Sequence, residues 1–182
     1  ALSEMEGLEY QHTNASLRGK MTGDVPEDVR VRVAAVERAM DASPLPEDVV
    51  VHRGVKDGAA TFGDTWYGEF GEGTFEEQDA KWPRWEAGER PDLTGMEWQD
   101  LAYSHTTVKD ERLGGYARKI VGLDPVAMNI RVPKGTRAVQ MSGMDHEGEL
   151  MLERGLRFRV VKDHGADENG VRQWDVEVIP NG

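Results

Sequence analysis

The sequence predicts an α+β fold, with helices gathered near the N-terminus and strands after them. Two patterns carry that reading. Val29, Val33, Val36 and Met40 recur at three- and four-residue spacing, the stripe one face of a helix makes when it packs on a core. The runs Arg157-Phe158-Arg159-Val160-Val161 and Trp174-Asp175-Val176-Glu177-Val178-Ile179 alternate apolar with polar, the period of a half-buried strand. With 182 residues the chain has the size of a single domain, with a helical part over about 1–46 and a β-rich core over about 47–182. Its start at Ala1 rather than Met fits a domain cut from a longer protein at least as well as a complete gene product.

Taken in order, Leu8 and the run from 14 to 18 read as helical, followed by a clearer helix over 27–40. Pro26 suits the start of that helix, and Ser43, Pro44 and Pro46 end it. Val49-Val50-Val51 is a short strand with His52, Arg53 and Gly54 at its exit. From 56 to about 99 the chain is rich in Gly, acid and large rings with few aliphatics, which predicts an ordered excursion with short strands bordering a pocket. The β-branched and aromatic run 101–108 predicts a strand whose hydroxyls face one side. Gly114 and Gly115 interrupt, and Ala127-Met128-Asn129-Ile130-Arg131-Val132 forms a strand stopped by Pro133-Lys134-Gly135. Residues 150–152 begin the final β region, where the two alternating runs predict an antiparallel hairpin around a loop over 163–169 that is longer than a tight turn.

Composition narrows the function. There is no Cys, which excludes disulfides, thiolate metal sites and a cysteine nucleophile. No apolar run approaches the roughly 20 residues a membrane helix needs, so no membrane partner is expected. A net charge of -12 argues against broad binding to a phosphate backbone and favours basic or guanidinium-bearing partners. Gly68, Gly71 and Gly73 do not make a phosphate loop, because Glu69 and Glu72 stand among them and no Lys-Ser/Thr helix start follows.

The densest chemistry lies at Met144-Asp145-His146-Glu147-Gly148-Glu149. In an extended strand Glu147 and Glu149 project from the same face, and two carboxylates so close are costly unless positive charge sits between or beside them. Reading Asp145, His146, Glu147 and Glu149 as a metal cluster is rejected, since ligands crowded into five residues rarely reach one ion.

Arg53 leaving a strand, Ser104 and Thr106 within another, and Glu147 with Glu149 at the start of a third therefore occur in that order. This order, with Val50-Val51-His52-Arg53-Gly54-Val55, Phe62-Gly63, Tyr103-Ser104-His105-Thr106, Ile130-Arg131-Val132-Pro133-Lys134-Gly135-Thr136 and Glu147-Gly148-Glu149-Leu150-Met151-Leu152, resembles the arginine-serine-glutamate class of mono-ADP-ribosyltransferases, the iota-toxin-like and arginine-modifying enzymes. Asn14-Ala15-Ser16-Leu17-Arg18-Gly19 is similar to the Asn-x-x-Leu-Arg-Gly helix signature of many members. The resemblance spans about residues 10 to 161, with His105 and Thr106 standing where the family has Thr and Ser.

That resemblance implies two roughly perpendicular, mostly antiparallel sheets with an NAD cleft between them, NAD as substrate, and no metal. It implies Arg53, Ser104, Glu147 and Glu149 as catalytic residues, and Arg53, Gly54, Ser104, His105, Thr106, Tyr116 and Glu149 at the NAD. Arg53 would hold the pyrophosphate or ribose edge, and Ser104 would orient Glu149 or the nicotinamide ribose with support from Thr106. Tyr116 would cover nicotinamide, with Gly114 and Gly115 letting its loop approach. Glu149 would stabilise charge developing on the ribose, and Glu147 would face an arginine acceptor. The implied partner is a target protein with an accessible arginine, with a cognate immunity protein as a further partner, for a monomeric bacterial toxin or effector domain delivered into another cell, or a phage-associated domain. Transfer to water or to a nucleic-acid hydroxyl, and a non-catalytic acidic domain that binds a basic partner, are the alternatives.

Overall fold

The computed structural model describes residues 8–19, 25–109, 117, 120, 122–141 and 148–179. Among them the N-terminal helices are α1, Leu8–Leu17, and α2, Glu27–Asp41, which buries Val29, Val36 and Met40 from the expected stripe. Strand β1, Val49–Val55, follows. Then come α3, Gly58–Phe62, a 3₁₀ stretch over Gly63–Gly71, and α4, Phe75–Glu86. The remaining elements are β2, Glu97–Asp100; β3, Ser104–Thr107; β4, Val126–Val132; β5, Ala138–Gln140; β6, Glu149–Leu152; β7, Leu156–Ala166; and β8, Arg172–Ile179. No helix of the described residues is long and apolar enough to cross a membrane.

The strands lie in the order β2-β7-β8-β4-β1-β3-β6-β5. Every described pairing is antiparallel except β4 with β8. Instead of two separate sheets, hydrogen bonds run through all eight strands, but the junction of β1 with β3 rests on one register pair, His52 with Thr107. A five-strand half and a three-strand half therefore meet at a narrow seam. The larger core packs Val51, Met128, Ile130, Phe158, Val160, Trp174 and Val176 with Trp66 from the 3₁₀ stretch. A second cluster seats Val36 and Met40 of α2 on Tyr103, Val139, Met141 and Met151.

The excursion over 56–99 is mainly helical, not a set of short strands. Asp57 caps α3 by accepting from the Ala59 N–H, and Thr74 with Glu77 forms a reciprocal capping box at the start of α4. Phe62, Trp66 and Phe70 fall four residues apart, and their rings turn toward the core: Trp66 and Phe70 are buried, and Phe62 packs on Trp174 at 5.2 Å. Gly58 has no room for a side chain, because an added Cβ would run into the Trp66 ring.

The strand expected over 101–108 is confined to 104–107, which pair with β1 and β6, while a separate strand over 97–100 pairs with β7 at one edge of the sheet. The crossing between them turns on Asp100, which accepts from the Ala102 N–H at 3.1 Å. The C-terminal hairpin is tighter than expected: β7 continues to Ala166 through two register shifts, and the turn closes with the Gly170 N–H donating to the Asp167 carbonyl at 2.9 Å.

Candidate active site

Asn14 ties helix α1 to the sheet. Asn14, 2% exposed, donates from Nδ2 to the Tyr103 carbonyl at 3.1 Å and accepts the Tyr103 N–H at 3.2 Å, pairing backbone groups in the gap between β2 and β3. Arg18, one turn further along, is thereby set over Asp100. Its Nε and Nη2 donate to the two Asp100 carboxylate oxygens at 3.0 and 2.9 Å, a bidentate pair. From β1, Arg53 brings Nη1 to Asp100 Oδ2 at 3.1 Å and to Ser104 Oγ at 2.9 Å, and Ser104 Oγ donates to the same Asp100 oxygen at 3.0 Å. Burial by itself would push the Asp100 carboxyl up, but the Arg18 hydrogen bonds and the charges of Arg53 and Arg18 hold it below the ordinary carboxylate range.

Arg18, Arg53 and Asp100 border a cleft of about 410 Å³, lined also by Gly54, Phe62 and Trp98. Trp98 is fixed by stacking on Phe158 at 5.1 Å, and Phe62 meets it edge-on at 5.2 Å. Lys56 adds a third cation to the lining. In a chain carrying -12, this local excess of positive charge suits an anion with flat rings, and planar guanidiniums match phosphate oxygens in geometry as well as charge.

The β3–β6 register separates the remaining candidates. Ser104 pairs with Leu152 and Thr106 with Leu150, whereas His105 pairs with Met151 and Thr107 with Glu149. Paired residues share a face and neighbours along a strand alternate, so Ser104 and Thr106 lie on the face opposite His105. Ser104 therefore does not orient Glu149: its hydroxyl is committed to Arg53 and Asp100. Thr106 donates to the Leu150 carbonyl at 2.7 Å and braces the β3–β6 pair. Among the described residues Glu149 meets His105, whose Nδ1 contacts Glu149 Oε1. Glu149 is not among the cleft-lining residues; it stands beyond the seam, two strands over from Arg53. Glu147 and Tyr116 lie outside the described residues.

The site therefore adds residues to the expected set, the charged pair Arg18 and Asp100 among them, with Lys56, Phe62 and Trp98 also in the lining. Arg18 was visible in the Asn14–Arg18 signature, whose four-residue spacing puts both on one helix face. Asp100 had no comparable signal, because its role depends on two arginines brought from other elements.

The family model described as ADP-ribosyltransferase exoenzyme matches residues 1–179 of the chain. No curated protein matches in sequence. Among solved structures, an ADP-ribosyltransferase from Clostridium botulinum is similar with a TM-score of 0.68 at 13% identity, over 98% of this chain and 85% of that one. An ADP-ribosyltransferase toxin from Paenibacillus larvae gives 0.64 at 18% identity over 94% and 80%. Exoenzyme S from Pseudomonas aeruginosa, solved with human 14-3-3 protein beta and bound to carba-NAD, gives 0.64 at 15% over 97% and 70%. At these identities the likeness is one of fold.

Proposed function

This chain belongs to the ADP-ribosyltransferase exoenzyme family, and from that premise we propose that it transfers ADP-ribose from NAD to arginine side chains of a target protein, as a toxin or effector domain acting in the cytosol of a recipient cell. The observation that carries the NAD half is the cleft in which Arg18 and Arg53 stand beside Trp98 and Phe62. Those residues fit the donor: paired guanidiniums for a diphosphate and flat rings for its bases.

NAD supplies the ADP-ribosyl group, whose bond to nicotinamide breaks with its electron pair leaving on nicotinamide as a bond to the acceptor nitrogen forms. Arg18 and Arg53 hold the diphosphate and admit an anion to an acidic protein. Glu149, which stands beyond the seam from the Arg18–Arg53 cleft and contacts His105, takes its role from the Glu147–Glu149 segment: its carboxylate faces the positive charge developing on the ribose. Glu147, two residues before it, pairs with the acceptor guanidinium and takes the proton released when the new carbon–nitrogen bond forms.

The test is incubation with radiolabelled NAD and a mixed cell lysate, followed by mass spectrometry of the labelled peptides. We expect label on arginine. Label on another residue would overturn arginine specificity, and nicotinamide release without label on protein would make the enzyme an NAD glycohydrolase. A folded chain that does neither would sink the enzymatic reading.

A further inference from the structure

We propose that Asp100 is a positioning residue for NAD, the internal counter-anion that holds Arg18 and Arg53 side by side at the diphosphate. The proposal rests on the NAD reading above and adds a residue that touches no substrate.

The two arginines reach the cleft from elements far apart in sequence, one just past the end of α1 and one on β1. Left to themselves, two guanidiniums at one site repel, and each long side chain loses rotamer entropy on ordering. Asp100 resolves both difficulties. Its Oδ2 accepts from three donors, Arg18 Nη2 at 2.9 Å, Arg53 Nη1 at 3.1 Å and Ser104 Oγ at 3.0 Å, while Oδ1 accepts from Arg18 Nε at 3.0 Å and the Ala102 N–H at 3.1 Å.

The depth of the carboxylate shows which way it acts. Asp100 is 7% exposed, against 29% for Arg18 and 18% for Arg53. An anion blocking the site would be its most accessible group; this one lines the cleft but is the most buried of the three, and the guanidiniums remain the more accessible groups. The arrangement leaves one net positive charge among the three and presents it in a fixed orientation. Preorganised donors then bind without an ordering cost at the moment of association.

Asp100→Asn tests this specifically. The amide oxygen can still serve the Ala102 N–H and Arg18 Nε, but an NH₂ in place of Oδ2 would confront three donors with a fourth. We expect the Kd for NAD, measured by calorimetry, to rise about tenfold or more, with KM rising in parallel and kcat changing by less than about threefold. In an Arg18→Ala background the same substitution should cost much less, a coupling that a general loss of stability would not produce. Asp100→Glu keeps the charge and displaces it by one methylene, so it serves if the asparagine variant does not fold, and we expect it to weaken NAD binding while retaining a native melting profile.

A folded Asp100→Asn or Asp100→Glu protein with wild-type Kd would overturn the proposal and leave the proposed function standing. A wild-type protein that binds no NAD would remove both.

Discussion

The His105 imidazole meets the Glu149 carboxylate on a diagonal of the β3–β6 pair, off the register that sets Thr107 opposite Glu149. Cross-strand diagonals are within reach of a side chain as long as His, so the contact follows from the ladder. It fixes the direction of the carboxylate proposed to face the ribose. We expect His105→Ala to lower kcat for NAD cleavage about tenfold, the scale of one hydrogen bond to a charged group, with KM for NAD little changed. Steady-state nicotinamide release measures both; an unchanged kcat would deny His105 this role.

Replacing the carboxylate itself should be more severe. Glu149→Gln keeps the shape and removes the charge, and we expect loss of NAD cleavage and of transfer by about a hundredfold or more, the magnitude associated with a preorganised electrostatic group. Glu147→Ala should separate the two activities by losing transfer to arginine and retaining nicotinamide release. Equal transfer in both variants, by label incorporation, would rule out the division of roles.

Arg53 serves Asp100 and Ser104 through one nitrogen while its planar fork borders the cleft. A lysine keeps the charge without the fork. Arg53→Lys should therefore weaken NAD binding about tenfold or more with a nearly unchanged melting temperature. Calorimetry against NAD reports the first and thermal unfolding the second.

The Asp100 ion pairs carry a pH dependence whose sign is determinate. The folded carboxyl titrates below its unfolded value, so the stabilisation is complete above the ordinary carboxyl range and disappears as pH falls through the lowered folded value. Asp100→Asn should therefore melt below the wild type at neutral pH, and the gap should close in strong acid. A gap that stays constant down to about pH 2.5, well under the unfolded carboxyl value, would refute the assignment.

Asn14 makes its contribution through backbone groups. Asn14→Ala would strand the N–H and carbonyl of Tyr103, a residue with no exposed surface, at a cost of about 1–3 kcal/mol for each buried group left unpaired. Urea unfolding measures it. Because the same side chain sets the position of α1, NAD affinity should fall along with stability.

Much of the fold is written in local periodicity. The Val29–Met40 stripe, the valine run entering β1 and the alternation of β7 and β8 each state an element and its buried face, because helix and strand repeat at different intervals. The excursion was harder to read. Its helices are set by caps at Asp57 and Thr74 and by rings four residues apart, signals easily hidden by surrounding Gly and acid.

For the site, the chain alone marks Arg53, Ser104 and the Glu147–Glu149 pair as chemistry-bearing, since their residue types and order are properties of the sequence. Which of them touch was decided by pairing. A strand's alternation is local, but its register against a neighbour is not, and one step of register moves a side chain to the opposite face. That register gives His105 to Glu149 and leaves Ser104 to Arg53. Asp100 acquired its place in the same way: a lone acid in the sequence, it becomes the centre of a cationic cleft only when Arg18 and Arg53 are folded against it from separate elements.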